Sequence, residues 1–376
     1  MVSKTNFYKK VIIKIGSNVL TNKDGLPDLE TLNAITNQVA SLVKQGLQVI
    51  LVSSGAVAAG RSIFNPQGNL GAIAKKQLFS AIGQVTLMEH YKNLFSQYQI
   101  HCAQVLVTKS DFRDRKHYLN MKNCLNVLLE NNIVPIVNEN DVISITELMF
   151  TDNDELAGLV ATMLNADALF ILSNVDGVFT GDPSLPSSEI IQEFKGKSRE
   201  LSNFITTKKS EFGRGGMITK CRNALKVAEL GIPVHIANGR KKNIINALSF
   251  DNIADKPGTY FPATSKKASN LKKWVASSNA YSKGKLVINK GAQAALFSKK
   301  ANSLLAVGIV QIEGEFNKGD IVGIYNEQYQ ELGLGISAYS ANHAKTIIGK
   351  KNIKPLVHYD YLYLNVEGDI SRDKQN

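Results

Sequence analysis

The first two-thirds of the chain repeat one pattern, a short and almost unbroken apolar run followed by a longer stretch with helical spacing. Residues 11–15, 47–52, 100–107, 133–137, 168–172 and 232–236 form the apolar runs, and 29–45, 74–97, 115–130, 153–165 and 217–230 form the amphipathic stretches. A strand that is apolar at nearly every position must be covered on both faces. Repeated in βα order, such strands specify an α/β fold, a mainly parallel sheet between two helical layers in a three-layer sandwich. Ligands of open sheets of that kind collect beyond the carboxyl ends of the strands. The polar residues that follow each run are therefore the first candidates for a site.

Lys14-Ile15-Gly16-Ser17 leaves the first run with a cation and a residue free of side-chain bulk. Gly16 lets the backbone approach a phosphate and Lys14 can neutralise transferring oxygens, although a lysine closing a strand is also an ordinary solvated edge. Ser53-Ser54-Gly55-Ala56-Val57 follows the second run and opens a helix. Small residues there expose helix N-terminal amides to an anion, and the same serines can serve as a plain N-cap. Asn138-Glu139-Asn140-Asp141 closes one run, and Thr151-Asp152-Asn153-Asp154 opens a helix. Carboxylates and amides crowded at the mouth of a sheet must each be solvated or paired, so their use is to hold something polar. Gly213-Arg214-Gly215-Gly216-Met217, followed by Thr219-Lys220, is a glycine-rich turn entering a helix. It has neither the GxxxxGK[ST] nor the GxGxxG spacing, but Lys220 in the first helical turn suits a nucleotide phosphate. Anionic phosphate calls for lysine and exposed amides, and an amino-acid substrate for carboxylate and amide partners. Together these point to phosphoryl transfer, which depends on alignment and charge stabilisation.

A chain of 376 residues suggests about two domains. From 261 to 274 the composition turns polar, and 263–270 is almost without apolar content, which reads as a linker. Beyond it, short runs at 285–288, 308–313, 320–324 and 331–337 suit a small β-rich barrel. The expected organisation is a first domain over 1–262, a linker over 263–280, a second domain over 281–359 and a tail over 360–376. No stretch of about 18 apolar residues exists, so no membrane span is expected. Cys102, Cys124 and Cys221 form no CxxC and the six histidines are scattered, which suggests reduced cytoplasmic thiols and no protein-held transition metal. The net charge is +12. Beyond Phe261, roughly 16 basic side chains stand against about 9 acidic ones. Spread lysines without a tight arginine cluster favour a solvated surface that attracts anionic nucleotide over a nucleic-acid groove.

Taken in order, Lys14-x-Gly16, Ser54-Gly55-Ala56, Asn138-Glu139-Asn140-Asp141, Asp152-Asn153-Asp154 and Gly215-Gly216-Met217-x-Thr219-Lys220 resemble the amino-acid kinase family, in its glutamate-phosphorylating branch. Ala58-Ala59-Gly60-Arg61, Lys76-Gln77-Leu78 and Gly83-Gln84 fit as well. The tail, with Gly291-Ala292, Ser303-Leu304-Leu305, Gly308-Ile309, Gly314, Phe316 and Gly319-Asp320, is similar to a PUA domain, so the resemblance covers nearly the whole chain. It implies ATP-dependent phosphorylation of the γ-carboxylate of L-glutamate to γ-glutamyl phosphate, the first step of proline biosynthesis. Feedback inhibition by proline and a homo-oligomer, a tetramer, are implied with it. Carried over by position, Lys14 and Lys220 flank the transferring phosphoryl group and Asp154 organises them. Ser54, Asp141 and Asn153 match glutamate-binding residues, with Asp141 toward the ammonium group and Asp152 on the same wall. Lys14, Gly16, Ser173, Asn174, Arg214, Gly215, Gly216, Met217, Ile218, Thr219 and Lys220 fall on the nucleotide side. Mg2+ would be held mainly by phosphate oxygens and water.

Two departures fall on the nucleotide side. Ser173-Asn174 stands where the family usually has Thr-Asp, and Arg214 where a small polar residue is common. Two other readings compete, a family member with another acceptor (aspartate, carbamate or a nucleoside monophosphate) and an RNA-binding PUA protein with a degenerate kinase domain. The 138–141 and 152–154 stretches with the PUA-like tail argue against the first, and the retained lysines and acidic residues against the second.

Overall fold

Strand β1 (Lys10–Ile15) is the centre on which the larger part of the protein is built. It pairs in parallel with β2 (Gln48–Val52) on one side and β5 (Ala168–Ser173) on the other. The computed structural model describes residues 8–144, 149–183, 185–195, 216–249, 257–264, 275, 282–298 and 302–364. With β3 (Cys102–Val107), β4 (Val134–Glu139), β6 (Val234–Asn238) and β7 (Thr259–Phe261) the sheet has the order β3-β4-β2-β1-β5-β6-β7. Every neighbouring pair is parallel except β6 and β7. The sheet and its parallel sense match the sequence expectation.

Nine helical segments connect these strands among the described residues: α1 (Ser17–Leu20), α2 (Leu29–Lys44), α3 (Ala56–Ile63), α4 (Ala72–Ser96), α5 (Lys109–Arg113), α6 (Arg115–Glu130), α7 (Asn153–Leu164), α8 (Met217–Glu229) and α9 (Ile244–Ser249). Val11, Ile13 and Ile15 of β1 join one core with Ile35, Val39 and Leu42 of α2, Tyr91 and Phe95 of α4, and Ile245 and Leu248 of α9. Burying each such aliphatic side chain is worth roughly 2 kcal/mol. Side chains alternate along a strand, so Ile12 and Lys14 face the other layer, where Lys14 meets Asp154 of α7.

Acidic caps fix the starts of α2 and α7. The Asp28 side chain accepts from Thr31 N at α2, and Asp152 accepts from Asp154 N and Glu155 N at α7. Helices α3 and α4 pack with their backbones almost touching. An ideal Cβ on Gly83 would fall 1.8 Å from Ala56 O, and one on Gly60 would fall 2.0 Å from Phe79 O.

The chain divides into two compact units, with the change between residues 267 and 268. In the first, Thr264 donates to Ala228 O and Glu229 O at the end of α8. Apart from residues 263, 264 and 275, the expected linker at 263–280 lies outside the described residues. The second unit has its own five-stranded sheet, ordered β12-β11-β10-β8-β9, formed by β8 (Gly284–Ile288), β9 (Ile309–Gly314), β10 (Ile321–Tyr325), β11 (Glu331–Ile336) and β12 (Leu362–Leu364). Its core includes Leu286, Ile288, Val322, Ile324 and Leu332, together with Ala344 and Ile347 of α11 (Ala341–Ile347), the helix that follows α10 (Lys290–Leu296). Strand β12 pairs with β11 and so joins this unit's sheet.

Candidate active site

The carboxyl ends of β1, β2, β4 and β5 open into a continuous cavity of about 710 Å3. Of the sequence-predicted site residues, Lys14, Gly16, Ser54, Asp141, Asp152, Asn153, Asp154, Ser173, Asn174, Met217 and Lys220 line it. Gly216 caps the start of α8, while Ile218 and Thr219 lie on that helix outside the lining set. Arg214 and Gly215 lie outside the described residues.

One pole of the cavity is a three-residue charge cluster. Lys14 Nζ lies 2.7 Å from Asp154 Oδ1, and Lys220 donates to Asp154 Oδ2. All three side chains are buried or nearly so, Asp154 being 2% exposed. Burial alone would raise the Asp154 pKa, but the two ammonium groups outweigh it and hold this carboxyl well below the usual range. With two cations sharing one anion, one lysine is left under-compensated. Burial, reinforced by the Lys220 charge, pulls Lys14 below the ordinary lysine value. For Lys220 burial acts downward too, but Asp154 overrides it and the pKa rises. Burial pushes the adjacent Cys221 thiol up to about 12, which keeps it protonated and out of nucleophilic chemistry.

Gly16 serves by absence of bulk more than by its amide. Its N–H is already given to Leu172 O at 3.0 Å, and a Cβ there would press on that same carbonyl at 3.1 Å. Asp152 has two tasks. Its Oδ1 caps α7, whereas its Oδ2 is buried without a hydrogen-bond partner. Burial and the nearby Asp154 charge push its pKa up.

The middle of the cavity is an amide knot. Asn153 Nδ2 donates to Ser53 O at 2.8 Å, Ser54 Oγ at 2.9 Å and Asn138 Oδ1 at 3.1 Å. Because Ser54 Oγ accepts here, its own hydrogen can be given to a ligand. Gly55, at φ 101°, turns the chain from Ser54 into α3 in the left-handed region that glycine favours. At the far pole Asp141 makes an ion pair with Lys76 of α4.

The sequence marked Asn138 and Glu139 only as part of a polar stretch, and Gln84, Lys76 and Arg61 only as fitting the family, with no individual role. Asn138 and Glu139 are the last residues of β4, paired with Leu106 and Val107 of β3, so they project from the sheet itself. Gln84 Oε1 accepts from Asn138 Nδ2 at 3.1 Å, and Phe150 N donates to Glu139 Oε1 at 2.9 Å. The buried amide and carboxylate at the end of an apolar run were the available signal. On the other side, Ser173 is buried and Asn174 exposed, and Phe179 and Pro183 extend the wall. Asp176 does not restore the charge missing at Asn174: its carboxylate is turned to Asn238 Nδ2 and Lys241 Nζ, both at 2.8 Å.

Comparison with known proteins places residues 9–238 in the amino acid kinase family and residues 284–359 in the PUA domain family. The glutamate 5-kinase of Bacteroides thetaiotaomicron is 48% identical over 357 residues, covering 95% of this chain and 99% of that one. That of Chlorobaculum tepidum is 48% identical over 358 residues, covering 95% and 98%. The glutamate 5-kinase of Dictyoglomus thermophilum is 36% identical, covering 97% of this chain and the whole of its own.

Proposed function

Because the chain belongs to the amino acid kinase family and is related to glutamate 5-kinases along nearly its whole length, we propose that it transfers the γ-phosphoryl group of ATP to the γ-carboxylate of L-glutamate. The products are γ-glutamyl phosphate and ADP, and the reaction opens proline biosynthesis. The observation that carries this reading is the Lys14–Asp154–Lys220 cluster at one end of the cavity.

The acceptor carboxylate is already ionised at neutral pH, so no general base is required. One of its oxygens attacks the γ-phosphorus, a new O–P bond forms, and the bond to the β-phosphate oxygen breaks with its electrons leaving on ADP. Negative charge spreads over the equatorial oxygens as this occurs. Lys14 and Lys220 offset that charge, and Asp154 keeps both ammonium groups in place before the substrates arrive. Ser54, Asn153 and Asp152 orient glutamate, and Asp141 takes its ammonium group. Gly16, Ser173, Asn174, Gly216, Met217, Ile218 and Thr219 are assigned to the nucleotide side with the two lysines, and the sequence resemblance adds Arg214 and Gly215 to the same role.

Among the described residues no group of three or more His, Cys, Asp or Glu side chains could hold a metal unaided. Mg2+ bound through phosphate oxygens and water fits the cavity, with the unpartnered Asp152 Oδ2 as the carboxylate to meet it. When bound, the ion neutralises phosphate charge.

Further partners follow from the surfaces. Ile63, Phe64, Ile73 and Val85 are large apolar side chains exposed on or beside α3 and α4, which supports a homo-oligomer, a tetramer in our reading. Proline, sharing the ammonium and carboxylate of an amino acid, would compete at the glutamate end. The PUA match supports RNA as an additional ligand, although the spread of basic charge after Phe261 does not. No described helix is long and apolar enough to cross a membrane, and the three cysteines are free, which supports a cytoplasmic site of action.

The deciding experiment is a hydroxamate assay with ATP and magnesium across L-glutamate, L-aspartate and N-acetyl-L-glutamate. Product with L-glutamate alone is expected; a preference for either competitor would overturn the acceptor assignment. A second outcome concerns pH. Lys14 loses its proton below the ordinary lysine value of 10.5, whereas Lys220 holds its own above it. The alkaline limb of kcat/KM is therefore expected below the usual lysine range. In Lys14→Arg, whose charge does not titrate, residual activity should lose that limb. An unchanged limb in this variant would assign it to another group.

A further inference from the structure

Asp141 already has a cation. Lys76 Nζ makes an ion pair with its Oδ1, and both side chains line the cavity with 25% and 13% exposure. The next residue, Gln77, donates Nε2 to Val142 O at 2.7 Å, so α4 holds the 141–142 turn at two successive positions. An ion pair this accessible to a ligand, beyond the end of β4 and two strands from the β1 that carries Lys14, needs an explanation that turn anchoring alone does not give; Gln77 supplies an anchor without a charge.

The roles assigned above leave one charged group of glutamate without a partner, its α-carboxylate. In a zwitterionic amino acid the ammonium and the α-carboxylate branch from one carbon, so the two ends form a short dipole. A dipole beside an ion pair is most stable head to tail, with each charge against its opposite. We propose that the Lys76–Asp141 pair recognises the zwitterionic head of the substrate, Asp141 taking the α-ammonium and Lys76 the α-carboxylate. This rests on the reading of L-glutamate as acceptor. A lysine ammonium has three donors and no preferred plane, so Lys76 can keep Asp141 while accepting a second carboxylate. The pair then also fixes which carboxylate reaches the transferring phosphoryl group, because the α-carboxylate is held at the wrong pole. The other cation lining this cavity away from the cluster is Arg61, which has no ion-pair partner among the described residues and is the rival for the same task.

The test uses the full chain as wild type and as Lys76→Met, Asp141→Asn and Arg61→Met. The readouts are kcat and KM for L-glutamate and the inhibition constants of two competitors. Glutarate lacks the α-ammonium, and 4-aminobutyrate lacks the α-carboxylate. In Lys76→Met, KM for glutamate and Ki for glutarate are expected to rise roughly 10- to 100-fold, the range of a charge-assisted hydrogen bond, while Ki for 4-aminobutyrate stays level or falls. In Asp141→Asn, KM for glutamate and Ki for 4-aminobutyrate should rise while Ki for glutarate does not. An equal loss for all three ligands in Lys76→Met would reduce the lysine to a structural role and overturn the proposal. So would the expected Lys76 pattern appearing in Arg61→Met instead. Wild-type protein that releases no ADP with glutamate would defeat the acceptor reading itself, whereas an active wild type with unselective variants defeats only this inference.

Discussion

Replacing Asp154 by asparagine is expected to lower kcat by about 1,000-fold, the largest loss from any single polar substitution in this protein. The carboxylate is shared by Lys14 and Lys220, so the change disturbs both cations that face the transferring phosphoryl group. KM for glutamate should move far less, since the acceptor's head is held at the other pole. Stability falls as well. Two buried ammonium groups left without their counter-ion cost about 3–5 kcal/mol, unless Lys14 gives up its proton to relieve them. The pH dependence separates the two effects. Asp154 has a depressed pKa in the folded state, so its contribution is present above the unfolded value of 3.8 and is lost as pH falls through the lower folded value. The asparagine variant should therefore show a flatter stability curve on the acid side than the wild type. Denaturant titrations from neutral to strongly acid pH, beside steady-state kinetics, measure both. Wild-type kcat in a folded variant would remove Asp154 from the mechanism.

Gly83→Ala is expected to cost about 3 kcal/mol or more, despite the better helix propensity of alanine. The added Cβ would meet Ala56 O at 1.8 Å and Gly60 N at 2.3 Å, both backbone atoms that no rotamer change can move. Relief requires α3 to withdraw from α4. Ala56 is the first residue of α3, directly after Ser54-Gly55, so withdrawal displaces the Ser54 hydroxyl from its bond with Asn153. A raised KM for glutamate should accompany the lower melting temperature. Gly71→Ala is the control: that glycine precedes α4, and nothing stands within 4 Å of its added Cβ. Equal stability of the two variants would contradict the close helix contact.

The sheet was legible because its strands are apolar at successive positions and its helices carry a clear stripe. Arg115–Glu130, for instance, starts and ends where the spacing says it should. β7 was not, since Thr259–Phe261 gives three residues and no period. In the site, Lys14, Ser54, Asn153, Asp154 and Lys220 were visible because each closes or follows a strand or opens a helix. Lys76 and Gln84 were singled out only by the family resemblance, not by any local signal, because they sit inside a long helix and meet Asp141 and Asn138 only through tertiary packing. Asp152 was half visible. An aspartate before a helix announces a cap, but nothing local reveals that its second oxygen is buried and unpaired.

The central place of β1 also sets a schedule for the nascent chain. This strand leaves the ribosome well before β5, which covers its second edge and ends at Ser173. At roughly 5–20 residues per second, the intervening stretch of about 160 residues takes on the order of 8–30 s to synthesise. For that interval β1 can pair on one side at most, an open edge of the kind that invites aggregation. Lys14 has no Asp154 to meet until the same segment emerges. Translation speed between these two strands should therefore govern the soluble yield of this enzyme more than any step after release.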